Sequence, residues 1–468
     1  MLVLVLGGCG PAVEASTVAP TIQEDPATVL LEGYPHVRQK PDFCGEACVA
    51  MAMAARGQPV DQDAVFDLTG LDPAEGRGAY TRDLAVAVRA LGFEPGETWY
   101  RVPRGDDRAL GVAFDAMVAD LRAGVASIVC MHFDERPDTT EHFRLVTGYD
   151  AHTDEVVYND PALDDGLALR MSRARFLQLW PLHYGGDDTL VRLRLAGTPV
   201  APVASEGPTA ADLAQAVMVA REKIGDEPGF TLVVQPPWVV VGDLDADAVR
   251  ARATGTVEWT TNQLRRDYFA KDPADAWTIW LFADDESYTR HAKAFFGDEP
   301  DTPYGYADSG EHALIMNIGT GGGTLVHEMV HPFIGANLPD CPAWINEGLA
   351  SLYEHVGEED GHIWGYTNWR LRGLKAAIRA GDVPSLRWLT ATTWEQFYAE
   401  ERGVNYAMAR YLMQYMQEKG KLRPFMAAYA KNRATDPTGY QTLIETLGVT
   451  DVARFTTEWE AWAMALEG

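Results

Sequence analysis

The alternation of hydrophobic and polar positions divides the first half of the chain into early helices and later strands. Helical periodicity occurs at residues 44–55, 80–91 and 113–123. Alternating or continuously apolar stretches typical of strands follow at residues 126–133, 143–149, 156–159 and 189–195. Helices followed by a run of neighbouring strands predict an α+β domain with an antiparallel sheet.

The second half has a different pattern. Residues 231–241 and 277–282 favour strands that flank a long helix. Beyond Gly322 the periodicity is almost wholly helical, with segments near residues 324–334, 343–355, 369–380, 406–418 and 452–466. This pattern predicts a mainly helical domain with a small sheet.

A linker between the two halves is indicated by composition. Residues 197–209 are rich in Pro, Ala, Gly and Ser, and 468 residues are too many for one typical hydrophobic core. We therefore predict an N-terminal segment at 1–28, a first domain at 29–196, the linker at 197–209 and a second domain at 210–468.

Net charge limits the possible binding partners, and cysteine content limits the possible disulfide bridges. The formal net charge of −29 repels phosphate backbones, which argues against a nucleic-acid partner and favours solubility. The five cysteines do not form the pattern of a disulfide framework. At most one bridge is expected, drawn from Cys48, Cys130 and Cys341. The sequence does not indicate an oligomeric state.

The apolar first residues end in Leu6-Gly7-Gly8-Cys9, which resembles a bacterial lipobox. The resemblance implies a lipid anchor on Cys9 and a place in the bacterial cell envelope. The segment lacks basic residues and is short, and a start codon placed too far downstream would explain both. The alternative is a plain N-terminus and a cytoplasmic protein.

The segment Leu325-Val326-His327-Glu328-Met329-Val330-His331 carries the clearest chemistry. On a helix, two histidines four residues apart face one metal ion, and zinc prefers such nitrogen ligands. Glu328, beside the first histidine, is placed to move a proton between water and a leaving amine. Downstream, Glu347 in Trp344-Ile345-Asn346-Glu347-Gly348 is the best candidate for a third ligand.

Together these motifs resemble those of the gluzincin metallopeptidases. A metzincin would have His where this chain has Asn337. The resemblance implies a zincin-like fold, Zn²⁺ held by His327, His331 and Glu347, and a peptide substrate. It also implies an edge strand that receives the substrate, assigned to residues 313–318, and an oxyanion-stabilising tyrosine, assigned to Tyr406.

A second group of candidate catalytic residues lies in the first half of the chain. Cys44 opens a helix, where the helix dipole and free N–H groups are expected to favour the thiolate. His142 is the candidate base and Asp160 its orienting carboxylate, with His132 and Asn159 as competitors. Gln39 is the candidate side-chain donor of an oxyanion hole.

The order Gln39, Cys44, His142, Asp160 and the helix-then-sheet pattern resemble the papain-like peptidases that cleave double-glycine leader peptides. The likeness spans residues 30–195, without the transporter domains that usually accompany that family. It implies a papain-like N-terminal fold and thiol-dependent peptide hydrolysis.

The sequence therefore predicts a two-domain bacterial peptidase, zinc-dependent in its C-terminal half and thiol-dependent in its N-terminal half. In one alternative the N-terminal domain is a non-catalytic peptide-binding or regulatory module of a zinc peptidase, and in a variant of it Cys44 ligates the zinc. In another, the thiol site is an amidase or acyl transferase.

Overall fold

The computed structural model describes residues 28–203, 207–399 and 403–467. The chain divides after residue 205 into two compact units, each with its own core. The division falls within residues 197–209, where composition indicates a linker. Cys9 lies outside the described residues, so the lipid anchor stays a prediction.

The N-terminal unit combines helices with an antiparallel sheet. Its helices are α1 (Cys44–Ala55), α2 (Gln62–Asp67), α3 (Thr81–Ala90), α4 (Asp107–Arg122) and α5 (Arg173–Leu179). Its strands are β1 (Thr28–Leu30), β2 (Phe93–Glu94), β3 (Trp99–Val102), β4 (Ser127–His132), β5 (Glu141–Asp150), β6 (Glu155–Asn159), β7 (Leu169–Ser172), β8 (Asp188–Arg194) and β9 (Ala196–Gly197).

The main sheet has the order β3-β8-β4-β5-β6-β7. β1 pairs with the C-terminal end of β5, and β2 and β9 form a separate pair. Every pairing within the main sheet is antiparallel. The predicted mixture of early helices and a later antiparallel sheet is confirmed. The sequence pattern missed the shortest strands and the helices α2 and α5.

Helix α1 is buried on almost all sides, because alanines and methionines fill it from Ala47 to Ala55. Such a helix belongs inside a domain rather than on its surface. Gly78 is required beside its start, since a Cβ there would lie 1.9 Å from the Asp42 carbonyl oxygen. This close approach brings the loop before α3 against the first turn of α1.

The C-terminal unit is mainly helical. Its helices are α6 (Ala210–Ile224), α7 (Ala246–Arg252), α8 (Trp259–Asp267), α9 (Asp285–His291), α10 (Gly323–Asn337), α11 (Ala343–Leu352), α12 (Leu371–Ala380), α13 (Leu386–Thr390), α14 (Trp394–Tyr398), α15 (Val404–Glu418), α16 (Leu422–Asn432), α17 (Tyr440–Leu447) and α18 (Val452–Ala465). Its strands are β10 (Thr231–Gln235), β11 (Trp238–Gly242), β12 (Trp277–Phe282), β13 (Gly305–Asp308), β14 (Ala313–Asn317), β15 (Val356–Glu359) and β16 (His362–Gly365).

A mixed sheet of order β10-β11-β12-β14-β13 supports these helices, and β15–β16 form a separate hairpin. The long helix expected after β11 is present, because α7 and α8 are joined by a π-helical stretch, Ala253–Glu258. The single strand predicted at 231–241 is wrong. Pro236 and Pro237 interrupt it, since proline cannot donate to a strand ladder, and β10 and β11 pair as a hairpin.

The assignment of residues 313–318 to an edge strand is also wrong. β14 does form there, but it lies between β12 and β13. The edge is β13, a four-residue strand whose Gly-Tyr-Ala-Asp sequence gives little strand signal.

Helix α10 continues through Pro332 to Asn337. Leu325, Met329 and Phe333 are fully buried in the core, whereas His327, Glu328 and His331 line a cleft. No helix in the described ranges is long and apolar enough to cross a membrane. The four cysteines within those ranges are unbridged, so the single disulfide allowed by the sequence does not form there.

Candidate active sites

Cys44 is the first residue of α1, as the sequence predicts, and its side chain is half-buried. It lines a pocket of about 520 Å³. The other lining residues are Asp42, Gly78, Ala79, Tyr80, Thr81, Arg82, Trp99, Cys130, Glu141, Phe143 and Tyr184.

The structure brings His142 and Asp160 together. His142 lies near the start of β5 and Asp160 directly follows β6, the neighbouring strand. The His142 Nε2 to Asp160 Oδ1 distance is 2.7 Å, and both side chains are buried. An Nε2–H donated to the carboxylate leaves Nδ1 as the basic nitrogen, as a general base requires.

Arg144 completes this pair and was missed in the sequence. Its Nε donates to Asp160 Oδ2 at 2.8 Å, and its other nitrogens donate to the carbonyls of His132 and Phe133. Burial alone would raise the pKa of Asp160, but the His142 hydrogen bond and the Arg144 charge outweigh it and hold that pKa at about 2. The alternation of strand side chains, which puts 142 and 144 on one face of β5, was the available signal.

The expectation of an easily ionised Cys44 is wrong. Burial raises the pKa of its thiol to about 12, with a further contribution from the Glu46 and Asp42 carboxylates. The backbone amides of Phe143 and Gly45 lower it only in part. Desolvation therefore exceeds the benefit of the helix start, and the thiol needs a base to become a nucleophile.

Glu46 lies in the same first turn of α1. Its Oε1 accepts the Ala79 amide at 2.7 Å, while its Oε2 is buried without a hydrogen-bond partner in the described part of the chain. Burial raises the pKa of this carboxyl to about 8.

The side chains of the competing residues make other contacts. Asn159 donates to the Pro35 carbonyl and accepts from the Ala168 amide, so its side chain has a structural role. His132 lies at the end of β4, and its ring centroid is 5.6 Å from that of His183. Gln39 precedes α1 and its backbone N–H donates to the Pro161 carbonyl. Its Oε1 is buried without a partner among the described residues, and its oxyanion role stays a prediction.

In the C-terminal unit, His327 and His331 on α10 meet Glu347 on α11. One ligand atom from each of the three lies within 4.8 Å of the others. His331 Nδ1 contacts Asn346 Oδ1 at 2.5 Å, which leaves Nε2 available. Glu347 Oε2 is buried without a hydrogen-bond partner within the described ranges and lies 3.4 Å from His327 Nε2. This donor set, two nitrogens and an unpaired carboxylate oxygen, fits a zinc ion.

The protonation of the pair His327–Glu347 follows from their contact. Burial alone would lower the pKa of His327 and raise that of Glu347. Their 3.4 Å contact and opposite charges instead raise the pKa of the imidazole and lower that of the carboxyl. Zinc binds neutral imidazole, so a cation that binds here replaces the proton that this pair holds.

Glu328 lies beside the same donors, with its Oε2 3.9 Å from His331 Nε2. Burial raises the pKa of Glu328, and the charges of His327 and His331 oppose that rise. All four residues line a cleft of about 650 Å³.

Two supporting contacts behind the donors were missed in the sequence. The Tyr398 hydroxyl donates to Glu347 Oε1 at 2.5 Å. Glu354 Oε1 lies 3.6 Å from His327 Nδ1 and is held by two hydrogen bonds from Arg370, at 2.7 and 2.9 Å to its two oxygens. Glu354 follows just after the end of α11, the helix that carries Glu347, and this closeness in sequence could have indicated it.

Tyr406 lines the cleft, together with Tyr306 and Tyr398. Its ring centroid lies 5.9 Å from that of Tyr398 and the Arg370 guanidinium lies 4.9 Å from its centre. Its proposed contact with the oxyanion stays a prediction.

Part of the N-terminal unit also matches a known protein family. Residues 31–185 match the Peptidase_C39 like family. The matched region contains Gln39, Cys44, His142 and Asp160, and it supports a peptidase of the cysteine type in this unit. The match ends before the C-terminal unit begins.

A similar solved structure is the peptidase domain of Streptococcus ComA, described as a bifunctional ABC transporter involved in a quorum-sensing pathway. The two are 19% identical, the likeness covers 34% of this chain and 98% of that one, and the TM-score is 0.24. No curated protein matches this chain significantly.

Proposed function

We propose that this chain is a bacterial peptidase with two active sites, a zinc-dependent one in the C-terminal unit and a thiol-dependent one in the N-terminal unit. The convergence of His327, His331 and Glu347 beside Glu328 carries the first part. The His142–Asp160–Arg144 arrangement near Cys44, together with the family match, supports the second.

In the C-terminal unit, Zn²⁺ held by His327, His331 and Glu347 would supply a Lewis acid for a peptide carbonyl and for water. Glu328 accepts the proton of the attacking water and delivers it to the leaving amine. The Tyr406 hydroxyl donates a hydrogen bond to the oxyanion of the tetrahedral intermediate.

In the N-terminal unit, His142 removes the Cys44 proton as sulfur attacks the peptide carbonyl. The C–N bond breaks when His142 returns that proton to the amine, and water then hydrolyses the thioester. Asp160, fixed by Arg144, holds the imidazole in the required orientation. Gln39 and the Cys44 amide are the proposed oxyanion donors.

Two variants separate the sites in the full-length protein. Glu328→Gln should abolish the metal-dependent hydrolysis and spare the thiol-dependent one, and Cys44→Ala should do the reverse. Zinc per chain should be close to one for the wild type and fall for Glu347→Ala. A wild type without stoichiometric zinc would refute the zinc site, and loss of all hydrolysis in one variant would refute independent sites.

The alternatives for the N-terminal unit have their own outcomes. Full peptide hydrolysis in Cys44→Ala would favour a peptide-binding or regulatory module. Transfer of an acyl group to an added amine, or amide hydrolysis outside peptides, would favour an amidase or acyl transferase.

The proposed lipid anchor rests on Leu6-Gly7-Gly8-Cys9. Labelling with a fatty acid in a bacterial host should modify the wild type and leave Cys9→Ser unlabelled. An unlabelled wild type would favour the cytoplasmic alternative.

A further inference from the structure

An exposed aromatic ridge borders the zinc cleft. The ridge consists of Trp394, Tyr398 and Tyr406, and all three line the cleft. Trp394 and Tyr398 stack with centroids 5.8 Å apart and an interplanar angle of 29°, and Tyr406 follows at 5.9 Å. Trp394 is 42% exposed and Tyr398 is 49% exposed. Large exposed aromatic groups at a cleft mark a binding surface.

The ridge is held in place from behind. Arg370 lies over the Tyr406 ring and is itself fixed by its two bonds to Glu354. Tyr398 is fixed by its bond to Glu347. Rings that are already ordered lose little conformational freedom when a ligand stacks on them.

The remaining lining of the cleft includes apolar and acidic residues. Trp277, Tyr306 and Ala307 contribute further apolar surface, and Tyr306 and Ala307 belong to the edge strand β13. Asp275, Glu328 and Glu347 are the acidic lining residues, and the described lining includes neither Lys nor Arg. An acidic side chain of a ligand would meet these carboxylates here with no Lys or Arg of the described lining to pair with.

We propose that the ridge selects the peptide substrate of the zinc site. The preferred peptide has a large apolar side chain, above all an aromatic one, next to the cleaved bond. It has no acidic residue beside that side chain. The side chain stacks on Trp394 and Tyr398. This inference rests on the proposed zinc-dependent hydrolysis and adds the substrate class.

Binding to the zinc-loaded Glu328→Gln protein tests the ridge without requiring turnover. The probes are peptides of one sequence with Phe, Leu, Ala or Glu at the position next to the cleaved bond, with affinity measured by calorimetry. We expect the Phe peptide to bind about tenfold more tightly than the Ala peptide, and the Glu peptide to bind more weakly than both.

Adding Trp394→Ala should remove most of the Phe preference and leave the Ala peptide unchanged. Trp394→Leu should keep its affinity for the Leu peptide. The control is Trp388→Ala, because Trp388 is 46% exposed on α13 and outside the cleft. Equal affinity for the Phe, Ala and Glu peptides, or a Phe preference that survives Trp394→Ala, would overturn the inference.

These failures differ from failure of the proposed function. A protein that binds no zinc, or a wild type that cleaves none of the peptides in a metal-dependent manner, would refute the zinc peptidase. Selective binding of the Phe peptide by such a protein would still identify the ridge as an apolar peptide-binding surface.

Discussion

The Tyr398 hydroxyl bonds to one oxygen of Glu347 and leaves the other unpaired. Oε1 accepts the phenol hydrogen at 2.5 Å, and Oε2 lies 3.4 Å from His327 Nε2. Tyr398 thereby determines which carboxylate oxygen is available to a cation. In the proposed zinc site it is a positioning residue for the third ligand.

Tyr398→Phe should weaken zinc binding by about tenfold, because a ligand that loses its supporting hydrogen bond is less well oriented. Competition with a chelator measures the dissociation constant independently of activity. Tyr304→Phe is the control, since Tyr304 is exposed and outside the cleft. An unchanged zinc affinity in Tyr398→Phe would show that Glu347 is oriented without the phenol.

Glu354→Gln should also weaken zinc binding by about tenfold, for a different reason. The substitution removes the negative charge 3.6 Å from His327 Nδ1 and one acceptor of Arg370. The matched control is Glu359→Gln on the exposed strand β15. A loss of thermal stability without a change in zinc affinity would assign Glu354 a purely structural role.

Asp160→Asn should change how stability depends on acid. The native pKa of Asp160 is about 2, below its ordinary value of 3.8. The ionised carboxylate therefore stabilises the fold above about pH 4, and this contribution, about 2 kcal/mol, is lost as the pH falls toward 2. Denaturant unfolding between pH 5 and about pH 2 should show a shallower decline for Asp160→Asn than for the wild type. Parallel declines would contradict the prediction.

Glu46→Gln should act at the opposite end of the pH range. Burial raises the pKa of Glu46 from 4.5 to about 8, so its stabilising contribution is complete below about pH 4.5 and is lost as the pH rises through 8. The variant should not lose this contribution and should be more stable than the wild type at pH 9. Denaturant unfolding at pH 6 and pH 9 measures the difference. Identical pH dependence in both proteins would mean that Glu46 is ionised throughout.

Much of the N-terminal unit could be predicted because its elements are long and regular. Helix α1 and the strands β4, β5 and β6 are apolar runs in the sequence, and their order brings Cys44, His142 and Asp160 into one unit. Arg144 was not identified because its role depends on the carbonyls that end β4. Those contacts arise from strand pairing and are not encoded locally.

In the C-terminal unit, the three proposed zinc donors follow from a helical spacing and one downstream motif. Tyr398 was missed because α14 has only five residues and shows no helical period. β13 was missed for the same reason, since four residues carry too little alternation. The raised pKa of Cys44 could not be predicted either, because it depends on how deeply the folded chain encloses the thiol.

The protonated state of Cys44 has a consequence for chemical durability. Peroxides attack thiolates rather than thiols, and a cysteine with a pKa of about 12 is almost entirely a thiol near neutrality. The resting enzyme should therefore survive hydroperoxide concentrations that convert an easily ionised nucleophile to its sulfinic acid. The half-buried nucleophile is thus less reactive at rest, and less open to oxidation, than an exposed thiolate.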